Sequence, residues 1–249
     1  MLSKKIVKYI QSLSHKKFRD ESGVFIAEGP KNISEFLLSK NLECKLICAE
    51  SDWLSENQSL LAEMAKEDIF EADEQQLRSI STQKSPNKVV GVFNKKVVVE
   101  NPDLSGKISI MLDYLQDPGN MGTIIRIADW FAIENIICSN HTVDCYNPKV
   151  VQSTVGSLAR VNILYTDLNS FILKNKSINL YATTLHGTSI FELPKIKEGI
   201  ILIGNEAKGV LGGLIEMSSN QITIPRYGHA ESLNAAVATA IIISTFTCR

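Results

Sequence analysis

Three short polar clusters interrupt the apolar C-terminal half of this 249-residue chain. They are Asn120-Met121-Gly122 with Arg126, then Gly204-Asn205-Glu206, then Ser232-Leu233-Asn234. Each cluster stands where an apolar run begins or ends, and parallel α/β folds place their ligand sites at strand ends. The pattern therefore predicts one site assembled from three distant parts of the chain.

Each cluster also has a simpler structural interpretation. Arg126 could hold a phosphate with two parallel hydrogen bonds, or it could be an ordinary surface arginine. The backbone around Gly204 could bind a purine edge, or it could form a strand-to-helix turn with Glu206 favourably placed near a helix N-terminus. Ser232 could serve a substrate, or it could be the N-cap of the last helix, which Asn234 would then start.

Two common nucleotide motifs do not fit these loops. The segment 117–122 resembles a dinucleotide loop, but it lacks the Gly-x-Gly-x-x-Gly pattern. The next predicted strand ends in Ser139-Asn140, without the acidic residue that would bind a ribose hydroxyl. The glycines at 204 and 209 do not form a phosphate-binding P-loop either. A nicotinamide cofactor is therefore disfavoured.

Composition narrows the class of protein. The chain is 44% hydrophobic and 21% charged, which is typical of a globular protein with a sizeable core. A net charge of −1 argues against a protein that coats nucleic acid non-specifically. The basic run from Lys4 to Arg19 is a candidate RNA contact, although a solvated helix face explains it equally well.

Cysteine usage and hydropathy suggest the compartment. Five cysteines without a Cys-x-x-Cys pair favour neither a metal site nor a disulfide framework, and they fit a reducing cytoplasm. We see no signal peptide, and the apolar stretch 235–246 is too short to cross a bilayer. We therefore expect a cytoplasmic protein without membrane association.

The elements that must position the clusters follow from periodicity and turn residues. The first hundred residues alternate helix and strand, which predicts a small α/β domain. Its predicted helices are 2–13, 30–38, 60–65 and 75–81, and its strands or β-branched runs are 23–29, 45–49, 68–71, 89–93 and 97–99. Turn formers at 100–106 mark the boundary, with domains at 1–100 and 107–249 and a linker at 101–106.

The second domain reads as continuous apolar strands separated by helices, which predicts a parallel sheet covered on both faces. The predicted strands are 107–112, 135–138, 161–164, 179–182, 200–203 and 221–224. The predicted helices are 122–131, 147–158, 169–174, 210–217 and one from 232 onward, and residues 113–120 are predicted to form a polar loop.

Taken together, the order and spacing of the clusters resemble the three signature motifs of the SpoU (TrmH-type) RNA ribose 2′-O-methyltransferases. The matching patterns are Asn-x-Gly-x-x-x-Arg, Gly-Asn-Glu and Ile-Pro-x-x-Gly-x-x-x-Ser-Leu-Asn, and the resemblance covers most of residues 107–249. The first half resembles the small substrate-binding domain of that family, through its lysine-rich first helix and the segment 25–29. The chain departs from the usual motifs at Ile127, Ala132 and Arg226.

The resemblance implies an α/β fold with a deep C-terminal trefoil knot, S-adenosylmethionine as cofactor, and no metal. By motif position, the residues that would contact the cofactor are Thr183, Thr184, Leu185, Gly187, Gly204, Ile224 and Leu233. The residues that would carry catalysis are Asn120, Arg126, Glu206, Ser232 and Asn234. The family's arginine is assigned the activating role, here by clamping an RNA phosphate, with Glu206 as its expected orienting partner.

The same resemblance implies a homodimer packed through the knot domain, with Val237 and Ile241 of the last helix partly buried between the two copies. The substrate would be a structured RNA, with ribosomal RNA favoured over transfer RNA by the separate N-terminal domain. Two alternatives stay open. One is a non-catalytic knotted RNA-binding relative, and the other is a knotted methyltransferase that acts on an RNA base.

Overall fold

A computed structural model describes residues 2–39, 41–83, 85 and 87–247. The chain divides into two compact units. The first comprises Met1–Val97 together with Asp144–Arg160, and the second comprises Val98–Val143 together with Val161–Arg249. No described helix is long and apolar enough to cross a membrane.

The first unit is a four-stranded mixed sheet with helices packed against it. Its elements before residue 98 are α1 (Lys4–Ser12), α2 (Lys16–Ser22), β1 (Val24–Glu28), α3 (Pro30–Leu38), β2 (Cys44–Ala49), α4 (Ser51–Glu56), β3 (Ile69–Glu71), α5 (Glu74–Ile80) and β4 (Val89–Asn94). The strand order is β1-β4-β2-β3, with β4 antiparallel to β1 and β2. A hydrophobic core between α1, α5 and the sheet holds the unit together by burying apolar surface. It includes Ile10, Leu77 and Val90.

One helix prediction for this unit is wrong. The segment 60–65 is a series of turns rather than a helix, and the helix lies earlier, in α4. Trp53 anchors α4 in the core, and the Asn57 side chain donates to the Trp53 carbonyl where the helix ends. The β-branched run 97–99 is an exposed connection that leads into the second unit and forms no strand.

The second unit is a six-stranded sheet. Its elements are β5 (Ile108–Leu112), α6 (Pro118–Trp130), β6 (Asn135–Ser139), β7 (Asn162–Thr166), α8 (Leu168–Lys174), β8 (Leu180–Ser189), β9 (Gly199–Ile203), α9 (Gly212–Glu216), β10 (Asn220–Thr223) and α10 (Ala235–Thr247). The strand order is β10-β8-β9-β5-β6-β7, and every described strand pair is parallel. The predicted parallel α/β class is confirmed. All five residues of the inner strand β9 are buried, as expected of a strand covered on both faces.

Helix α7 (Pro148–Thr154) belongs to the first unit although it follows β6 in sequence. The Tyr146 ring packs against Phe25 with 4.9 Å between ring centroids and a tilt of 38°. The Asn32 side chain donates to the Gln152 side chain at 3.1 Å. The apolar pattern of 147–158 predicts the helix but does not say which sheet it covers. Only the long-range contacts assign this segment to the first unit.

Strand β8 departs from regular pairing at its centre. Tyr181 and Ala182 pair with Asn220 and Gln221 of β10, but the next pairs are Thr188 and Ser189 with Ile222 and Thr223. Residues 183–187 therefore lie outside that ladder. The sequence predicts only the first part of this strand, residues 179–182, because the apolar run ends at Ala182, where the five residues outside the ladder begin.

Candidate active site

The first cluster lies on the first turn of α6. This helix begins at Pro118, four residues before the predicted start, so Asn120 is helical and not in a loop. The Asp117 carboxylate caps the helix by accepting the Asn120 backbone N–H at 2.8 Å. An acidic N-cap followed by proline at the first helical position is a strong start signal. The Asn120 side chain is thereby fixed in a largely buried position at the carboxyl edge of the sheet.

Glu206, which follows β9, meets Asn120 at this helix N-terminus. Its carboxylate accepts the Asn120 side-chain N–H at 3.0 Å and the backbone N–H groups of Asp117 at 3.2 Å and Gln116 at 3.4 Å. Burial acts to raise the pKa of Glu206, but these hydrogen bonds outweigh it, so the pKa lies below its ordinary value. Glu206 is therefore a well-satisfied anion at neutral pH.

The third cluster joins through Asn234. Its side-chain N–H donates to the Asn120 side-chain oxygen at 2.7 Å. Its own oxygen accepts the backbone N–H groups of Ala236 at 3.0 Å and Val237 at 3.2 Å, which makes it the N-cap of α10. The last helix therefore starts at Ala235, three residues later than predicted, and Asn234, not Ser232, is its cap.

These contacts form a relay from Asn234 through Asn120 to Glu206. A carboxylate can only accept hydrogen bonds, so the Asn120 amide must present its N–H groups to Glu206 and its oxygen to Asn234. One residue from each of the three clusters is thus locked in a single orientation. The structure brings together residues separated by 86 and 114 positions in sequence.

Arg126 and Ser232 lie outside the relay. Both are exposed, and neither makes a hydrogen bond or ion pair with any residue in the described part of the chain. The expected contact between Glu206 and Arg126 is therefore not made. The reason is helical geometry, since Arg126 lies six residues after Asn120 and points roughly 240° around the α6 axis from it.

The segment 183–187, which leaves the β8 ladder, contains four of the predicted cofactor contacts. The Thr183 hydroxyl donates to the Leu202 carbonyl at 2.9 Å, which fixes the start of the segment. The Thr184 hydroxyl is buried and has no hydrogen-bond partner among the described residues. Leu185 is 68% exposed. Such a segment offers backbone groups and an unused hydroxyl to a ligand, and so it fits a bound S-adenosylmethionine.

The glycines of this region are required by close backbone packing. A Cβ on Gly187 would lie 2.5 Å from the Gln221 carbonyl carbon, and one on Gly204 would lie 2.1 Å from the Gly209 carbonyl carbon. Gly209, with φ of +69°, closes a turn in which its backbone pairs with that of Asn205. Ile224 is partly buried and Leu233 half-exposed, so both leave surface for a ligand.

Sequence reasoning missed several residues that build the site. Asp117 caps α6, and Asn205 donates to the Tyr114 carbonyl at 2.8 Å. Asp113 is buried and accepts the Leu211 backbone N–H at 2.9 Å, and burial raises its pKa despite that bond. The Asp-Pro pair at 117–118 indicates a helix start in the sequence alone. The partners of Asn205 and Asp113, by contrast, depend on strand order.

Fold and site together define a class: a two-unit α/β protein whose ligand site lies at the carboxyl edge of a parallel sheet. Comparison with known proteins makes this specific. Residues 107–244 match the SpoU rRNA Methylase family, and residues 4–91 match the MRM3-like substrate binding domain. The chain belongs to the SpoU rRNA methylase family. The predicted class, an RNA 2′-O-methyltransferase, and the predicted cofactor, S-adenosylmethionine, are thereby confirmed.

Individual relatives resemble either nearly the whole chain or about half of it. A 23S rRNA (guanosine(2553)-2′-O)-methyltransferase of Bacillus subtilis is 28% identical over 95% of this chain and 94% of its own. A 23S rRNA (uridine(2479)-2′-O)-methyltransferase of Streptomyces viridochromogenes is 32% identical over 54% of this chain and 50% of its own. The AdoMet-bound structure of an rRNA methyltransferase from Sinorhizobium meliloti superposes with a TM-score of 0.85, at 30% identity, covering 98% of this chain and 95% of that one.

Proposed function

We propose that this protein transfers a methyl group from S-adenosylmethionine to a ribose 2′-hydroxyl of ribosomal RNA in the cytoplasm. The observation that carries the proposal is the Asn234–Asn120–Glu206 relay, which unites the three signature motifs at one edge of the sheet. Two relatives whose names specify 23S rRNA support ribosomal over transfer RNA. The match of residues 4–91 to a substrate-binding domain supports a structured RNA.

Bound S-adenosylmethionine would supply an electrophilic methyl group. The segment 183–187 would bind it, with the Thr184 hydroxyl as an available hydrogen-bond partner. The turn at Gly204 would present backbone groups to it, because Gly204 and Gly209 allow close backbone approach. Ile224 and Leu233 would cover its apolar parts. The deep trefoil knot is part of this proposal and would pass the chain through this region.

Glu206 would act as a positioning residue. Three N–H donors occupy its carboxylate and lower its pKa, so it is a weak proton acceptor at neutral pH. Its role would be to hold Asn120 and the start of α6 in place. Asn120 and Asn234 would then fix the ribose, which places the 2′-hydroxyl in line with the methyl donor.

Arg126 would bind the RNA phosphate next to the target ribose. Its guanidinium is exposed and unpaired within the described residues, so both of its hydrogen-bonding edges are available. The positive charge would lower the pKa of the nearby 2′-hydroxyl, and the hydroxyl proton would pass to solvent water as the 2′-oxygen takes up the methyl group. The exposed hydroxyl of Ser232 would contact the same nucleotide.

We also propose that two copies form a homodimer through α6 and α10. These helices pack on each other, and each exposes apolar side chains: Trp130 on α6, and Val237 with the partly exposed Ile241 on α10. A second copy covering this apolar surface would remove it from water. It would also bring new groups close to Arg126, which has no partner within the described chain.

The test is methyl transfer from labelled S-adenosylmethionine to ribosomal RNA transcribed in vitro, followed by mapping of ribose methylation. We expect transfer by the wild type and a loss of about 100-fold or more in kcat for Arg126→Ala, by analogy with removal of one preorganised charge-stabilising donor. Lys176→Ala removes an exposed cation near the start of β8, at the opposite edge of the sheet, and should retain full activity.

Three outcomes would contradict the proposal. Full activity of Arg126→Ala would remove Arg126 from the reaction. Methylation of a base instead of a ribose would favour the base-modifying alternative, and absence of transfer to any RNA would favour the non-catalytic one. A monomeric mass in analytical ultracentrifugation at micromolar concentration would contradict the homodimer.

A further inference from the structure

An exposed aromatic pair stands beside the relay without a role in it. The rings of Tyr114 and His141 lie 5.4 Å apart, centroid to centroid, and tilted by 40°. Tyr114 is 44% exposed although its neighbours Asp113 and Leu115 are both buried, and His141 is also exposed. Burial therefore does not account for the position of either ring.

The Tyr114 backbone is held in an unfavourable conformation. Its φ is +58°, in the left-handed region that bulky residues rarely adopt. Two side chains hold it there: the Ser139 hydroxyl accepts its N–H at 2.9 Å, and the Asn205 amide donates to its carbonyl at 2.8 Å. Strain that surrounding side chains maintain in this way is found disproportionately at ligand sites.

Both rings are anchored on the segments that build the relay. Asn205, which fixes Tyr114, is the residue before Glu206. The Gln116 side chain donates to the His141 carbonyl, while the Gln116 backbone N–H donates to Glu206. The aromatic pair is therefore fixed relative to the relay by direct hydrogen bonds.

We propose that Tyr114 and His141 form a platform on which an unpaired RNA base stacks while the ribose is held at the relay. Single-stranded bases bind proteins chiefly by stacking on exposed aromatic rings fixed near a backbone-binding cation. This inference rests on the proposed RNA substrate, and it assigns the two residues a positioning role in substrate recognition. The base would belong to the target nucleotide or to its immediate neighbour.

The test compares Tyr114→Gly, Tyr114→Phe and wild type. Glycine accepts a positive φ freely, so Tyr114→Gly removes the ring without straining the backbone. Tyr114→Phe retains the stacking surface. Leu173→Ala, an exposed apolar truncation at the end of α8 and so near the amino edge of the sheet, serves as a control.

Three quantities are measured: the melting temperature, the Kd for S-adenosylmethionine, and the Kd for a fluorescent single-stranded RNA with one central purine or an abasic site in its place. We expect Tyr114→Gly to bind the purine RNA about tenfold more weakly, in keeping with the loss of one stacked base. Its affinity for the abasic RNA and for S-adenosylmethionine should not change. Tyr114→Phe and Leu173→Ala should behave as wild type, and His141→Ala should lose part of the same preference.

Equal loss of affinity for the purine and abasic RNAs in Tyr114→Gly, or no loss for either, would overturn the platform. A parallel loss of S-adenosylmethionine affinity would do the same, because it would assign the pair a purely structural role. This binding assay does not depend on turnover. If the wild type methylates no RNA, the proposed function fails, while the base-dependent binding still decides the platform.

Discussion

The relay predicts that Asn234 contributes to stability in two separable ways. Asn234→Ala removes both hydrogen bonds that cap α10 and also the donor to Asn120. Loss of an N-cap costs about 1 kcal/mol, and loss of a partner for the buried Asn120 side chain costs about another 1 kcal/mol. The sum of about 2 kcal/mol corresponds to a fall in melting temperature of roughly 4–8 °C for a chain of this size.

A second variant separates the two contributions. Asn234→Ser keeps an oxygen that can cap the helix but loses the N–H that reaches Asn120, so it should cost only about 1 kcal/mol. Ser232→Ala is the matched control, because Ser232 makes no hydrogen bond to any residue in the described ranges. Its free energy of unfolding should stay within about 0.5 kcal/mol of wild type.

The assay is urea unfolding of the three variants and the wild type, monitored by circular dichroism at neutral pH. If Ser232→Ala lowered the free energy of unfolding more than Asn234→Ala, the N-cap of α10 would be Ser232 and not Asn234. If Asn234→Ser and Asn234→Ala cost the same, the bond between Asn234 and Asn120 would contribute nothing to stability.

Three further perturbations follow from the contacts. Gly204→Ala would drive a Cβ into the Gly209 backbone and should lower the free energy of unfolding in urea by about 1–3 kcal/mol. Gly213, which lies in a helix with open space around it, provides the control, and Gly213→Ala should be neutral or slightly stabilising. Because the pKa of Glu206 is lowered in the folded chain, the unfolded chain takes up the proton first as pH falls. The stabilisation by Glu206 is complete above the unfolded pKa and is lost progressively as pH falls toward the folded pKa. Glu206→Gln removes this titration and should flatten the fall in melting temperature below about pH 5. Asp144→Ala would leave the buried Arg19, which is 2% exposed, without its 2.6 Å ion-pair partner. It should lower the free energy of unfolding of the first unit, measured by calorimetry, by about 3–5 kcal/mol. An unchanged transition would contradict the assignment of the segment Asp144–Arg160 to that unit.

Local patterns predicted most elements of both units. Apolar runs of four to six residues located β5, β6, β7 and β9 to within about two residues, because a strand buried on both faces must be continuously apolar. At α6 the error lies in the helix start. Residues 118–121 carry little apolar signal, so the periodicity placed the start of α6 too late, although Asp117-Pro118 is a start signal in its own right.

The sequence by itself also determined the family, because the three motifs stand in a fixed order with fixed internal spacing. It could not determine which motif residues touch. A carboxylate at 206 has several candidate partners in sequence, and the expected one was Arg126. The rotation of α6 instead presents Asn120 to Glu206 and turns Arg126 outward.

Tertiary structure alone decided the site's connectivity, because hydrogen bonds between residues some hundred positions apart depend on strand order and helix rotation. The order β10-β8-β9-β5 brings the ends of distant strands to one edge. Contacts with remote segments likewise hold the 183–187 segment, which lies outside the ladder, and the exposed Tyr114 with its positive φ. Neither feature has a periodicity that a linear sequence could display, since each results from packing against chain segments that are remote in sequence.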